Sequence, residues 1–352
     1  MSTTFGTVLV TGGAGFIGVH LVGQLLARGA ADDDGAGAAR VVVLDKLTYA
    51  ANPAALDELA TRHPGRLRVA VGDVADAALV RELLTDERPA AVVHLAAETH
   101  VDRSIDSAAP FIHSNVVATS VLLDELRRHL GARAAAAGFR LVHASTDEVF
   151  GSLAEPGLFT EASPYAPRSP YAASKAASDH LVAAWHHTHR LPAIITHGGN
   201  TYGPYQYPEK LIPRLVTRAL RGETMPVYAS GTNVRDWIHV DDHARALRFV
   251  LAAGRPGGRY LVGARTPLRN LDVVHALCDE LDRARPGRGP DGGSHHGLIE
   301  HVADRPGHDL RYALDPGLLE RELGWRPRVD FAAGLVATVR WYVDRADRGD
   351  RT

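Results

Sequence analysis

Ser145-Thr146-Asp147-Glu148 sets two hydroxyls and two carboxyls on consecutive residues. Adjacent carboxyls can serve one substrate as acid and base. One gives a proton to a departing hydroxyl while the other removes a proton from carbon. Tyr171 and Lys175 stand four apart, which puts them on one face of a helix. An ammonium beside a phenol lowers the phenol's pKa and makes it a base nearer neutral pH. Close to the N-terminus, Gly12, Gly15 and Gly18 punctuate a strand-to-helix turn. Such glycines permit the turn, let backbone approach a pyrophosphate, and let the helix pack close to its sheet. Asp45 ends the next strand. Its carboxylate can accept from both ribose hydroxyls of an adenosine and would repel a 2′-phosphate, which favours NAD over NADP. The step from Gly18 to Asp45 exceeds the usual ~20 residues, and a small-residue loop over 30–39 accounts for the excess. Asp73, after a third strand, is placed to meet the adenine amino group or to cap a helix.

These groups need a frame. Apolar strand-like runs recur over 7–10, 40–45, 67–71, 90–95 and 140–145. Helical periods intervene over 16–26, about 77–86, about 110–132 and about 170–188. Apolar strands alternating with amphipathic helices predict an α/β fold with a doubly wound, parallel Rossmann-type sheet. After residue 195 prolines, glycines and aromatics cluster, and short segments replace the alternation. A smaller C-terminal substrate-binding lobe over the carboxyl ends of the strands is expected there. The expected division is 1–195 for the dinucleotide, with a returning segment about 236–262, then 196–235 and 263–345 for substrate. Residues 346–352 read as a tail and 284–296 as a mobile loop.

The chain has 352 residues, with 39 Lys+Arg against 41 Asp+Glu, a net charge of −2. That balance speaks against a nucleic-acid partner. A single cysteine, Cys278, excludes an intrachain disulfide and a cysteine-ligated zinc site. No apolar stretch is long enough to span a membrane, and no basic leader precedes an apolar run, so the expected location is cytoplasmic. His186, His187, His189, His295, His296 and His301 read as solvated positions, and no metal is expected. Only three basic residues are lysines, Lys46, Lys175 and Lys210. Arginine has replaced lysine elsewhere, so a remaining lysine marks a place where a compact ammonium is needed.

All three lysines fall in segments that resemble the dTDP-glucose 4,6-dehydratases, an extended branch of the short-chain dehydrogenase/reductases. The resemblance runs through Asp45-Lys46-Leu47-Thr48, Ala96-Ala97-Glu98-Thr99-His100 and Thr146-Asp147-Glu148. It continues through Tyr171 to Lys175, Tyr202-Gly203-Pro204-Tyr205, Pro208-Glu209-Lys210-Leu211, Arg235-Asp236-Trp237 and Asp304-Arg305-Pro306-Gly307-His308. It implies Thr146, Asp147, Glu148, Tyr171 and Lys175 as catalytic residues. Contacts to NAD are implied for Phe16, Ile17, Asp45, Lys46, Thr48, Asp73, Val74, Ala96, Ala97, Ser114, Tyr171 and Lys175, with the glycines of the turn. A sugar-nucleotide site is implied at His100, Thr146, Asn200, Lys210, Leu211, Pro226, Tyr228, Arg235, Asn270, Arg305 and His308. Arg235 and Arg305 suit a diphosphate, since a guanidinium offers forked donors. The family's four-helix homodimer interface is implied for the helices about 110–132 and 170–188.

The implied reaction is redox-neutral. dTDP-glucose would be oxidised at C4, lose water across C5 and C6, and receive the hydride back at C6. The rivals are a dehydratase of UDP-sugars, a 4-epimerase and a catalytically silent NAD-binding regulator. An epimerase has no need of Asp147-Glu148, and a silent relative has no need of Thr146, Tyr171 and Lys175. Two departures stand out. The family's Arg-Cys-Ser-Asn-Asn is here His197-Gly198-Gly199-Asn200-Thr201, and Phe150 stands for the commoner tyrosine. Thr201 replaces an asparagine that lies near the cofactor, so weakened NAD retention is expected.

Overall fold

The computed structural model describes residues 3–27, 35–131 and 138–349. Among them, twelve strands occur in chain order: β1 Thr4–Thr11, β2 Gly37–Asp45, β3 Leu67–Val71, β4 Ala91–His94, β5 Arg140–Thr146, β6 Ala193–Gly198, β7 Asn200–Tyr202, β8 Met225–Tyr228, β9 Val234–His239, β10 Arg259–Val262, β11 Pro267–Arg269 and β12 Ile299–Val302. Seven form one sheet in the order β10-β6-β5-β4-β1-β2-β3. Every pairing in that sheet is parallel. The order reverses between β1 and β4, which opens a crevice at the carboxyl ends of those strands.

Val41, Val42, Val43 and Leu44 of β2 are all fully buried, as a strand covered on both faces requires. On one face the helices Phe16–Leu26 and Val240–Ala253 bring Leu21, Val22, Leu25, Leu247 and Val250 into one core. On the other, Ala77–Glu87, Ala118–Leu130 and Pro170–His189 bring Leu83, Leu84, Leu122, Leu126 and Val182. Each such side chain contributes roughly 1.5–3 kcal/mol on burial. A third core, including Ile212, Leu215, Trp237, Leu277 and Tyr342, belongs to the C-terminal lobe.

Several expectations are corrected. β2 begins at Gly37, inside the expected 30–39 loop, because Thr4–Thr7 of β1 supplies a partner for Gly37–Arg40. Residues 30–34 of that loop lie outside the described residues. The expected helix about 110–132 is a π turn, Ile112–Val117, between Ala109–Phe111 and Ala118–Leu130. Of the returning segment, β10 closes the edge of the large sheet, whereas β9 pairs with β7 and β11 in a separate three-stranded sheet. The 284–296 segment folds as turns, and His295 is fully buried with Nδ1 2.5 Å from Asp282 Oδ1, not solvated. Of the tail expected at 346–352, residues up to Asp347 continue the Phe331–Asp347 helix, and residues 350–352 lie outside the described residues.

Candidate active site

The turn after β1 is shaped by contacts that admit only glycine. Gly12 has φ +69°, and a Cβ there would lie 2.6 Å from Ala96 N. A Cβ on Gly18 would lie 2.3 Å from Gly12 O. The following helix starts at Phe16 with no side-chain cap at Gly15 and no acid in its first turn. Ala77–Glu87 is capped by Asp76 and Pro170–His189 by Ser169. The uncapped helix therefore offers its N–H groups and partial positive charge to an anion.

Asp45 accepts from Ala14 N at 3.0 Å and Leu47 N at 2.8 Å, one bond per oxygen. Each oxygen keeps a lone pair for a ribose hydroxyl. Lys46 Nζ donates to Ser114 Oγ at 2.8 Å and lies 3.5 Å from Asp73 Oδ2. Burial pushes Asp73 upward, but the Ala75 N–H, Lys46 and His113 outweigh it and hold the carboxyl below its usual range.

The π turn carries Ser114 and Asn115. Extra-residue turns of this kind re-aim side chains at functional sites. Asn115 Oδ1 accepts from Glu98 N at 2.8 Å, and Nδ2 donates to Glu98 O at 3.0 Å and Ser174 Oγ at 2.8 Å. It ties the loop after β4 to the helix that presents Tyr171 and Lys175.

Thr146 ends β5, and its Oγ1 accepts from Glu148 N at 3.3 Å and donates to Asp147 Oδ1 at 3.2 Å. A 3-10 turn over Asp147–Phe150 then turns both carboxyls toward the crevice. Asp147 is 2% exposed, and its Oδ2 has no protein partner among the described residues. Burial, then the charge of Glu148, pushes Asp147 well above its ordinary value. Burial raises Glu148 as well, but Arg305, Lys210 and Arg235 oppose it. Both carboxyls are thus raised, Asp147 the more strongly, and the cations around Glu148 suit it better to the role of base.

Lys175 is 4% exposed and donates to Ala144 O at 2.7 Å. Burial lowers it to about 8, against the pull of Asp179. Burial and then Glu148 push Tyr171 well above its ordinary value, with the Thr146 hydroxyl pulling the other way. The expected lowering of the phenol by a neighbouring ammonium is not seen: burial raises it instead.

One cavity gathers all sixteen residues expected to hold the cofactor: Gly12, Gly15, Phe16, Ile17, Gly18, Asp45, Lys46, Thr48, Asp73, Val74, Ala96, Ala97, Ser114, Tyr171, Lys175 and Thr201. Thr146, Asp147 and Glu148 line it too. The glycine cradle and the free acceptors at Asp45 fit a nicotinamide dinucleotide. Of the expected substrate residues, Thr146, Asn200 and Lys210 line the same cavity. His100, Leu211, Pro226, Tyr228, Arg235, Asn270, Arg305 and His308 do not form its wall.

Several of those eight are nevertheless linked to it. Asp102 joins Arg305 at 3.2 Å and the Tyr228 hydroxyl at 3.0 Å. His100 Nε2 is 3.7 Å from Glu209, a wall residue, and Lys210 Nζ donates to Thr99 O at 2.7 Å. Arg235 donates to Asp309 O at 2.9 Å and lies 4.3 Å from the Tyr312 ring centre. His308 bonds Asp304 at 2.6 Å, and Asn270 Oδ1 is buried without a protein partner among the described residues.

Asn115, Glu209 and His243 were not singled out from sequence. Each acts through a contact between distant segments, and no spacing announces it. The departure at His197 lies inside β6, fully buried, and outside the cavity wall. Its Nε2 meets Asp179 Oδ2 at 3.2 Å and the Tyr165 hydroxyl at 3.1 Å. Its ring centre is 4.8 Å from that of Phe150, so the two departures touch.

The family of proteins described as GDP-mannose 4,6 dehydratase matches residues 9–338. The dTDP-glucose 4,6-dehydratase of Xanthomonas campestris pv. campestris (strain B100) is 50% identical over 340 residues, 96% of this chain and 93% of that one. Among solved structures, DesIV, the dTDP-glucose 4,6-dehydratase of Streptomyces venezuelae with NAD bound, is 48% identical with a TM-score of 0.85, over 97% of this chain and 98% of that one. The UDP-glucose 4-epimerase of Thermus thermophilus, in complex with NAD, is 30% identical with a TM-score of 0.81, over 96% of this chain and 99% of that one.

Proposed function

The chain belongs to the dTDP-glucose 4,6-dehydratase family, and we infer on that basis that it converts dTDP-glucose to dTDP-4-keto-6-deoxyglucose and water. It is an NAD-dependent carbon–oxygen lyase of deoxysugar synthesis. NAD, held by the glycine turn, Asp45 and Lys175, would supply a hydride acceptor that is regenerated within the same turnover. The chain's own residues move protons and hold the sugar. Tyr171 takes the proton of the 4-hydroxyl, with the Thr146 hydroxyl beside it. Lys175 keeps an ammonium next to the nicotinamide ribose. The 4-keto group acidifies C5, and Glu148 removes that proton. Asp147 gives its proton to the departing 6-hydroxyl, water leaves, and C5 is reprotonated as C6 receives the hydride.

What supports these roles is the unequal setting of the two carboxyls. Asp147 is buried with an unpartnered oxygen, while Glu148 faces Lys210, Arg235 and Arg305. A fold shared with a 4-epimerase does not by itself call for such a pair.

Residues 1–195 with 236–262 hold the cofactor in this reading. Residues 196–235 and 263–345 hold the sugar nucleotide through His100, Asn200, Lys210, Leu211, Pro226, Tyr228, Arg235, Asn270, Arg305 and His308, with His100 contributed from the first part. The working form is a homodimer built on the helices Ala118–Leu130 and Pro170–His189. Exposed Ile112 (46%) and Val117 (43%) on the preceding turn support it; a monomeric mass in solution would overturn it. A cytoplasmic site of action goes with the single, buried cysteine, and no described helix is long and apolar enough to cross a membrane.

The test is incubation of the purified protein with dTDP-glucose and, separately, UDP-glucose, without added NAD. NMR should show a 4-keto-6-deoxy product from dTDP-glucose, one water lighter. A C4 epimer as the product would make the chain an epimerase.

A further inference from the structure

The cavity wall contains one imidazole that these steps do not use. His243, in the Val240–Ala253 helix, is 3% exposed and lines the same cavity as Tyr171 and Lys175. One edge of its ring is fixed. Nδ1 lies 2.7 Å from Thr201 Oγ1, and Thr201 Oγ1 donates to Gly199 O at 3.2 Å. A hydroxyl has one proton to give. With that proton on the carbonyl, Thr201 accepts from His243 Nδ1–H.

Burial lowers His243 to about 4, so the ring is neutral at working pH and carries one N–H. That N–H is at Nδ1, which leaves a bare lone pair at Nε2. Nε2 is buried and has no protein partner among the described residues. A buried acceptor without a donor is costly, so a bound ligand that brings a donor is favoured.

Gly198 makes the seat. A Cβ there would lie 2.4 Å from His243 Cε1 and 3.0 Å from Nε2. Gly198 is the β6 partner of Thr146, so the seat adjoins the reacting end of the cavity, away from Asp45 and Asp73. In the proposed reading the ribose hydroxyls at that end belong to Tyr171 and Lys175. The remaining donor at the nicotinamide end of the dinucleotide is the carboxamide amino group.

We propose that His243 Nε2 accepts a hydrogen bond from the carboxamide of bound NAD, and that Thr201 fixes the tautomer that makes it an acceptor. His243 is then a cofactor-positioning residue, and Gly198 and Thr201 are the parts of the 197–201 departure that serve it. The inference rests on NAD being the cofactor, and the test separates the two.

Wild type, His243→Phe and Thr201→Val are each equilibrated with an equimolar excess of NAD and 3-acetylpyridine adenine dinucleotide. The analogue carries a methyl group in place of the amino group and keeps the carbonyl and both ribose hydroxyls. Bound dinucleotides are released by denaturation and quantified by chromatography. Wild type should be enriched in NAD by about two- to tenfold relative to His243→Phe, the worth of one hydrogen bond. Thr201→Val keeps the ring but frees the tautomer, and should lose the same preference. A wild type holding neither dinucleotide overturns the cofactor reading and this inference with it. Both dinucleotides bound in a ratio that His243→Phe leaves unchanged overturns the inference alone. Should His243→Phe fail to fold, Thr201→Val decides, and a wild-type ratio there refutes the proposal.

Discussion

Asp179→Asn should change the acid–base behaviour of Lys175 without touching it. Asp179 follows Lys175 by one helical turn and is 1% exposed. Its carboxylate accepts from Ser145 Oγ at 2.7 Å and the Tyr165 hydroxyl at 3.2 Å, and lies 3.2 Å from both His143 Nε2 and His197 Nε2. Burial opposes ionisation, but the bonds and charges of His143 and His197 hold the carboxyl well below its usual range. Asp179 is therefore an anion at every working pH. It is the charge that resists the desolvation of Lys175, whose value lies at about 8.

An opposite charge within about 4–6 Å is worth about 1–3 pKa units. Asp179 shares its charge among several partners, so the lower end applies. Its loss should lower Lys175 by about one unit, or roughly 1.4 kcal/mol. The sign follows from the working form. Lys175 acts as the ammonium, so activity falls as pH rises through its pKa. The alkaline limb of kcat should move from near 8 in the wild type to about one unit lower in the variant. At the acidic end of the profile the two enzymes should converge. The assay is product formation at saturating dTDP-glucose across the neutral-to-alkaline range, on holoenzyme. Coincident alkaline limbs, or a loss of activity equal at every pH, would refute the role given to Asp179.

Three further substitutions probe the site. Glu148→Gln should permit oxidation at C4 and block elimination, so the near-ultraviolet absorbance of reduced nicotinamide accumulates on the enzyme; normal turnover would show that the base is another group. Lys175→Arg should cost about 10²-fold or more in kcat, because the fork does not fit where the ammonium is 4% exposed and bonded to Ala144 O; near-wild-type rates would undo the inference from lysine scarcity. Thr201→Asn keeps an oxygen to accept from His243 Nδ1 and adds an amide donor, so it should raise NAD retention by about two- to tenfold and leave the product unchanged, as measured by cofactor content after gel filtration; a wild type that already purifies fully loaded would contradict it.

The strands, the glycine turn and the Thr146–Glu148 and Tyr171–Lys175 sets were legible because each is local: a run, a spacing or a helix face. What was not legible depends on contact between distant segments. The first residues of β2 look like loop until Thr4–Thr7 pairs with them. The π turn hides within a helical period because one extra residue per turn barely disturbs the apolar spacing. His197 and Phe150 each read as separate departures, yet their ring centres are 4.8 Å apart. His243 carried no signal, since its place is set by a missing side chain at Gly198 and a hydroxyl at Thr201. The phenol of Tyr171 shows the limit of pairwise reasoning, because burial and the charge of Glu148 push it up.

The account stands or falls on where the C4 hydrogen goes. dTDP-glucose carrying deuterium at C4 should yield a 4-keto-6-deoxy product with the label at C6, none of it in solvent, and no net change in NAD. Deuterium returned to C4 of an epimerised sugar, or lost to water, would contradict the assignment of Asp147 and Glu148 to an elimination between two hydride transfers.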